Sequence, residues 1–478
     1  MSQFSNPTFE SLSAKEWLVA NGLGGYASGT LSGANTRRYH GLLVAALQPP
    51  TGRTVMVSKV EETVIFQSGN QVGLSSNRYP GAVHPQGYQF LEGFERKLLP
   101  TFHYHLNGYQ LAKRVFMPHG SNSTIVEYEN TGVATFRLLL TPLFVHRDYH
   151  SLFSEQPFFD YFADWKSPNA ATIFAHYGAP ALHFSFSKGT FRHGRSWFRN
   201  FEYEKEEYRG LDFREDSFCL GSVEVDLMPG EQVWLAFSLD EELTQADPAV
   251  LKKNEIARLQ AARPVSTLSA DRSEIWSEFF TELTLAADQF VVERQSSGGK
   301  TLLAGYHWFT DWGRDTMIAM RGICIALGKK ELTESILKTF LQYLDGGMLP
   351  NRFPDHPDEQ LEFNTFDATL WLFVVLHEYF EKFGDLDFIE SVFPRLTEII
   401  EAHIRGTRFN IRMTPEGLLS GGEGISNLTW MDARVGDFVV TPRHGCPVEI
   451  NALWYNALKI YNRFADLLVD ETACFEEL

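Results

Sequence analysis

The chain has 478 residues, too many for one ordinary core and enough for two to four domains at roughly 100–200 residues each. Apolar residues at 44% and charged residues at 21% exclude a disordered, collagen-like or disulfide-scaffold protein. Sixty Asp and Glu against 42 Lys and Arg leave a formal charge of −18, which argues against a nucleic-acid partner or an anionic membrane and is compatible with a neutral substrate.

In chain order, residues Met1 to Pro7 show no basic segment followed by an apolar core, so no secretory signal is expected. Gly22–Ala27 matches G-x-G-x-x-A in form, but Ser28–Gly33 after it is poor helix material. A tight β-turn is expected there, and no nucleotide. Phe102–Leu106 and Tyr109–Lys113 flank Asn107-Gly108, a strong hairpin signal because both residues tolerate the positive φ of a type I′ turn. Ser68–Asn70, Asn130–Gly132 and Met228–Gly230 punctuate similar alternations. Many short antiparallel strands predict a large sandwich up to about residue 245.

Residues 246–270 read as a linker, and the period then changes to that of helices. Leu332, Ile336, Phe340 and Leu344 recur every fourth residue, stopped by Gly346-Gly347. Phe366–Phe383 is apolar nearly all round, with Thr365 as a candidate N-cap and Gly384 past its end, so it predicts a buried helix. Two more helices follow, around 389–403 and 451–468. The spacing predicts about six helices from Asp271 onward and one long irregular stretch, 406–447. The four cysteines, Cys219, Cys324, Cys446 and Cys474, lie far apart and read as free thiols. The longest apolar run, Leu370–Leu376, is far below the ~20 residues of a membrane span. A soluble, cytoplasmic protein is expected.

Chemistry concentrates in three places. Gly305–Thr316 packs Trp308, Trp312, Arg314 and Asp315 at the start of a helix. Rings that stack on the C–H face of a pyranose, beside charged groups that hold hydroxyls, suit a sugar. Core tryptophans beside a structural ion pair account for the same residues equally well. Asp432, two residues after Trp430, sits in the long irregular stretch, where functional loops tend to lie. Apolar packing beside a carboxyl can keep a proton on it, yet spacing alone favours a loop aspartate paired with Arg434. Asp367, at the start of the buried helix, serves the helix dipole or faces a pocket. His103 and His105, like His146 and His150, lack the partners of a tetrahedral site, so no metal is expected. No cofactor motif is present.

These residues carry a resemblance to a known family. Asn21–Thr30, Asn35–Leu43, Gly305–Ile318, Pro350–Pro354, Phe363–Trp371, Thr429–Asp432 and Pro447–Trp454 resemble, in order and over nearly the whole chain, the bacterial and archaeal glycogen debranching enzymes of the amylo-α-1,6-glucosidase group. The resemblance implies an N-terminal antiparallel β-supersandwich (1–245) followed by a catalytic α/α toroid of six helical hairpins (271–478), about half of it present. It implies inverting hydrolysis of α-1,6 branch linkages in an α-glucan, with Asp432 as general acid. Trp312, Arg314, Asp315, Asp367, Trp430 and Glu449 would bind the sugar. Twelve helices at roughly 14 residues plus ~6 per connection need about 240 residues, against 208 from Asp271 to Leu478. The sequence is therefore expected to be shortened at its C-terminus, with the general base beyond residue 478 and little or no activity alone. A non-catalytic α-glucan-binding protein and a glucoamylase-like α-glucosidase are the alternatives.

Overall fold

The structure is a computed structural model that describes residues 2–156, 161–262, 274–354 and 360–468. Asn107 and Gly108 take φ values of 49° and 95° and close strand Thr101–Leu106 onto Tyr109–Phe116, with Leu106 opposite Tyr109. That is the left-handed pair a type I′ turn demands. A longer loop through Ser68–Asn70, with Gly69 at φ 86°, closes Thr51–Ile65 onto Gln71–Gly73. Gly22–Gly25 lies in a loop between paired strands, Ala20 opposite Tyr26, and Tyr26 and Ala27 open the strand Tyr26–Thr30 that follows.

The other two turns do something different. The chain passes through Thr131–Gly132 from Ser123–Asn130 in one sheet to Phe136–Asp148 in the other, and through Met228–Gly230 from Arg214–Leu227 back to Gln232–Ser238. Turn chemistry reverses the chain; the choice of pairing partner belongs to the strands that bury the same face.

Among the described residues, one sheet has nine strands and the other eight, and every pairing is antiparallel. Their inner faces share one buried cluster, including Leu43, Val57, Val64, Leu138 and Val223 from one sheet and Val115, Val126, Leu235 and Phe237 from the other. This is an antiparallel β-sandwich. Val233, Leu235 and Phe237 point into it. The alternate residues Trp234 and Ala236 join Leu99, Phe116 and Ile125 on the outer face. Leu251, Ile256 and Leu259 of helix Pro248–Ala261 cover that second cluster. Residues 246–270, read from sequence as a linker, thus include a helix whose apolar side closes a sheet face.

The chain divides into two compact units, Met1–Gln289 and Phe290–Leu478. Helix Glu274–Asp288 belongs to the first. The second holds Gly313–Met320, Lys330–Gln342, Ala368–Phe383, Leu386–Arg405 and Val448–Leu468, which makes six helices after residue 271 among those described. Strands Val291–Arg294 and Gly299–Leu302 pair before them, and 406–447 remains irregular apart from short bridges.

The anticipated helix faces are the buried ones. Ile336 and Phe340 are fully buried, as are Leu370, Leu372, Phe373, Val375, Leu376 and Tyr379. Gly384 ends its helix at φ 63°. Gly347 sits where a Cβ would come 2.3 Å from the Ala402 side chain, so only glycine lets these segments approach. Among the described residues, no helix is long and apolar enough to cross a membrane.

Candidate active site

The Gly313–Met320 helix is fixed at its start from both sides. Gly313 N–H donates to the Asn351 carbonyl at 2.8 Å, and Phe353 N–H to the Asp311 carbonyl at 3.2 Å. Trp312 bridges Arg352 in the same short antiparallel contact. A Cβ on Gly313 would lie 2.4 Å from the Pro350 oxygen and 3.3 Å from the Ala368 Cβ. Asp311, fully buried, anchors the turn: it pairs with Arg294 at 3.0 Å and accepts from Thr301 Oγ1 at 2.9 Å. Arg294 in turn lies 3.9 Å from the Phe353 ring centroid. Charge, hydrogen bonds and ring together leave the Trp312–Asp315 segment one position at the helix mouth.

Asp367 stands at the start of the Ala368–Phe383 helix and is buried. Its Oδ2 accepts from Arg314 Nε at 2.8 Å and its Oδ1 from Thr365 Oγ1 at 3.0 Å. The N-cap position, expected at Thr365, is held by Asp367; Thr365 Oγ1, two residues earlier, accepts from Ala368 N–H at 3.3 Å and steadies Asp367 with the same hydroxyl. The Asp367 side chain makes no capping bond of its own; its partner is the arginine of the preceding helix.

Asp315 follows Arg314 on that helix. The residue as a whole is exposed, but its carboxyl is crowded at the mouth. This desolvation lifts the carboxyl above the ordinary aspartate range; Arg314 and the Asp315 backbone N–H pull it back, and the charges of Asp367 and Asp432 push it up further. The Asp315 carboxyl thus lies in the field of Arg314, Asp367 and Asp432.

Asp432 reaches this cluster because the irregular stretch is pinned at several points. Gly421 and Gly445 exchange N–H···O bonds of 3.0 and 2.8 Å. Asn451 on the last helix accepts from Leu419 N–H at 2.7 Å and returns a bond to its carbonyl at 3.1 Å. Phe366 N–H donates to the Leu428 carbonyl at 2.7 Å, joining the loop to the residue before Asp367. Asn427 Nδ2 holds the Asp432 carbonyl at 2.8 Å. Asp432 itself is exposed. Among the described residues, no ion pair joins it to Arg434, which lies in a two-residue strand pairing with Phe438–Val439.

Trp430 is 55% exposed. The Arg443 guanidinium lies 5.9 Å from its centroid, and both Glu449 oxygens grip the Nη2 of Arg443. Trp312 is half-buried, its ring edge-on to Phe309 at 6.2 Å. The sequence-derived residues thus form two groups, Arg314–Asp315–Asp367–Asp432 and Trp430–Glu449, with Trp312 at the start of the helix that carries the first. Sequence reasoning missed Arg443, which has no periodic signal in an irregular loop, and the double role of Thr365, whose T-x-D spacing was its only trace. Chemically, one arginine, three carboxyls and an exposed indole can hold a polyhydroxylated ligand and exchange a proton with it.

Residues 15–234 match the family model described as glycogen debranching enzyme N terminal, and 285–478 match the one described as amylo-alpha-1,6-glucosidase. A glycogen debranching enzyme of Saccharomyces cerevisiae is 24% identical over 204 aligned positions, covering 31% of this chain and 13% of the yeast protein. A bacterial glucoamylase solved with acarbose superposes with TM-score 0.51 at 12% identity, over 96% of this chain and 63% of that one. An α-mannosidase of Bacteroides thetaiotaomicron gives TM-score 0.41 at 11% identity, over 98% and 57%. The chain thus spans less than two thirds of the length of each of these proteins.

Proposed function

Because this chain belongs to the glycogen debranching enzyme family, we propose that it serves the hydrolysis of α-1,6-glucosidic branch linkages in glycogen or a related α-glucan. The helical unit is then part of an α/α toroid, in which helix ends and their loops meet at one mouth. The observation that carries this reading is the effect of both Asp367 and Asp432 on the Asp315 carboxyl, although two helices and part of the irregular stretch separate Asp432 from the other two in sequence.

In the proposed mechanism Asp432 is the general acid that protonates the glycosidic oxygen, and inversion requires a second carboxylate to activate water on the opposite face of the sugar. Arg314 and Asp315 hold hydroxyls of the terminal glucose, while Trp312 and Trp430 offer ring faces to its C–H side. Asp367 orients Arg314 through the 2.8 Å bond. Glu449 acts through Arg443 on the Trp430 loop. The charges of Asp367 and Asp432 favour keeping a proton on Asp315.

The test is Asp432→Asn assayed on two substrates. Glucose release from a branched dextrin is expected to fall by about 10²–10⁴-fold, and release from an aryl glucoside whose leaving group needs no proton much less. Equal loss on both removes Asp432 from the role. Wild-type protein that carries the second carboxylate and binds glucan without cleaving either substrate supports a non-catalytic glucan-binding protein instead.

A further inference from the structure

Far from the helix mouth in sequence, the edge strands of the two sheets, Phe162–Ser167 and Thr190–Glu202, bring three rings together. Trp165 lies 4.5 Å from Phe191 and 5.2 Å from His193, centroid to centroid, and Phe191 lies 5.0 Å from His193. With Ser167 and Thr190 they line a cleft of about 380 Å³, within the ~300–1,000 Å³ range of small-ligand sites. Trp165 and Phe191 are half-buried; Thr190 and His193 are exposed. Gly221, opposite His193, makes room for this arrangement, since a Cβ there would meet the Phe191 ring at 2.7 Å.

The charge pattern narrows the occupant. The chain carries a formal charge of −18, yet among the described residues no carboxylate, lysine or arginine lines this cleft. The charges on the flanking residues are spent on each other: Lys166 pairs with Asp164 at 2.5 Å, and Arg192 with Glu224. An ion entering would lose hydration with nothing to replace it. An uncharged ligand with apolar faces and a hydroxyl rim loses little: its C–H faces stack on the rings, and its hydroxyls meet the Ser167 and Thr190 side chains.

We infer that the Trp165–Phe191–His193 cleft is a carbohydrate-binding site on the sandwich that takes the neutral α-1,4-linked chains of a glucan such as glycogen and holds the polymer. The choice of α-glucan among neutral sugars rests on the proposed function. Such a site raises the local concentration of substrate without touching the reacting bond.

The test is retardation of the full chain in native gels cast with amylose or glycogen, compared with gels cast with dextran, for wild type, Trp165→Ala, Thr190→Arg and Asp432→Asn. Wild type and Asp432→Asn should be held back by amylose and glycogen and not by dextran. Trp165→Ala should bind about tenfold more weakly, the equivalent of ~1.4 kcal/mol for a lost ring face. Thr190→Arg, an exposed substitution that fills the cleft and adds a charge, should act likewise, which keeps the test valid where Trp165→Ala disturbs folding. Unretarded wild type, or Thr190→Arg retarded like wild type, overturns the site. Equal retardation by dextran overturns the assignment to α-1,4 chains. Branch hydrolysis by unretarded wild type fails the cleft alone, whereas retardation lost in Thr190→Arg with no hydrolysis by wild type fails the proposed function alone.

Discussion

Two side chains in the helical unit tie protonation to stability in opposite senses. The Asp315 carboxyl is raised above its ordinary value, chiefly by desolvation. The folded state then holds a proton that the unfolded chain has already released, so stability falls as pH rises through the folded value. Asp315→Asn should therefore melt at a higher temperature than wild type at pH 7, with the difference closing below pH ~4; thermal melts across that range check it. Such a gain at the expense of the charged form is characteristic of groups kept for chemistry.

His403 is the reverse case. It is buried, bonds the Ile399 carbonyl through Nδ1 at 2.8 Å, and stacks on Trp454 at 5.9 Å. Burial pushes its imidazole down from 6.5 to about 4. Between these values the unfolded chain takes up a proton that the folded chain refuses, so stability is lost as pH falls from about 6.5 to about 4, by roughly 3 kcal/mol in all. His403→Gln should flatten that slope in denaturant titrations at stepped pH; an unchanged slope would place the acid sensitivity elsewhere.

At the scale of elements, the mouth depends on close approach. The start of the Gly313–Met320 helix runs against Pro350 and Ala368 with no room for a side chain at Gly313. Alanine is normally the better helix former by about 0.5–1 kcal/mol. Here Gly313→Ala should destabilise by ~1–3 kcal/mol, because the neighbour at 2.4 Å is a backbone oxygen that cannot step aside. Chemical denaturation of the two proteins decides the sign. Helix faces were legible in the sequence because a period of 3.6 in Ile336, Phe340 and their neighbours reports directly which side is buried. The Phe366–Leu428 bond was not, since nothing local marks two backbone groups as partners across an irregular loop.

At the scale of the molecule, the two units carry separate buried clusters, one within the sandwich and one among the helices. Leu235→Ala and Phe373→Ala, each fully buried in its own cluster, should each cost about 2–5 kcal/mol. Their effects should add within ~0.5 kcal/mol in a double mutant, because they share no packing partner. A larger deviation in the unfolding free energies would mean that the clusters respond as one.

The sequence by itself determined the order of a strand-built part and a helix-built part, the Asn107-Gly108 hairpin and the buried helix closed by Gly384. Each of these is written in local periodicity or turn chemistry, which act over a few residues. Only the tertiary structure decided that the turns at Asn130–Gly132 and Met228–Gly230 cross between sheets, and that the helix at Pro248–Ala261 closes a sheet face. It alone decided that Asp367 answers Arg314 while Asp315 feels Asp432. Those outcomes come from matching buried faces and charges between segments far apart in the chain, and such matches leave no periodic signal along it.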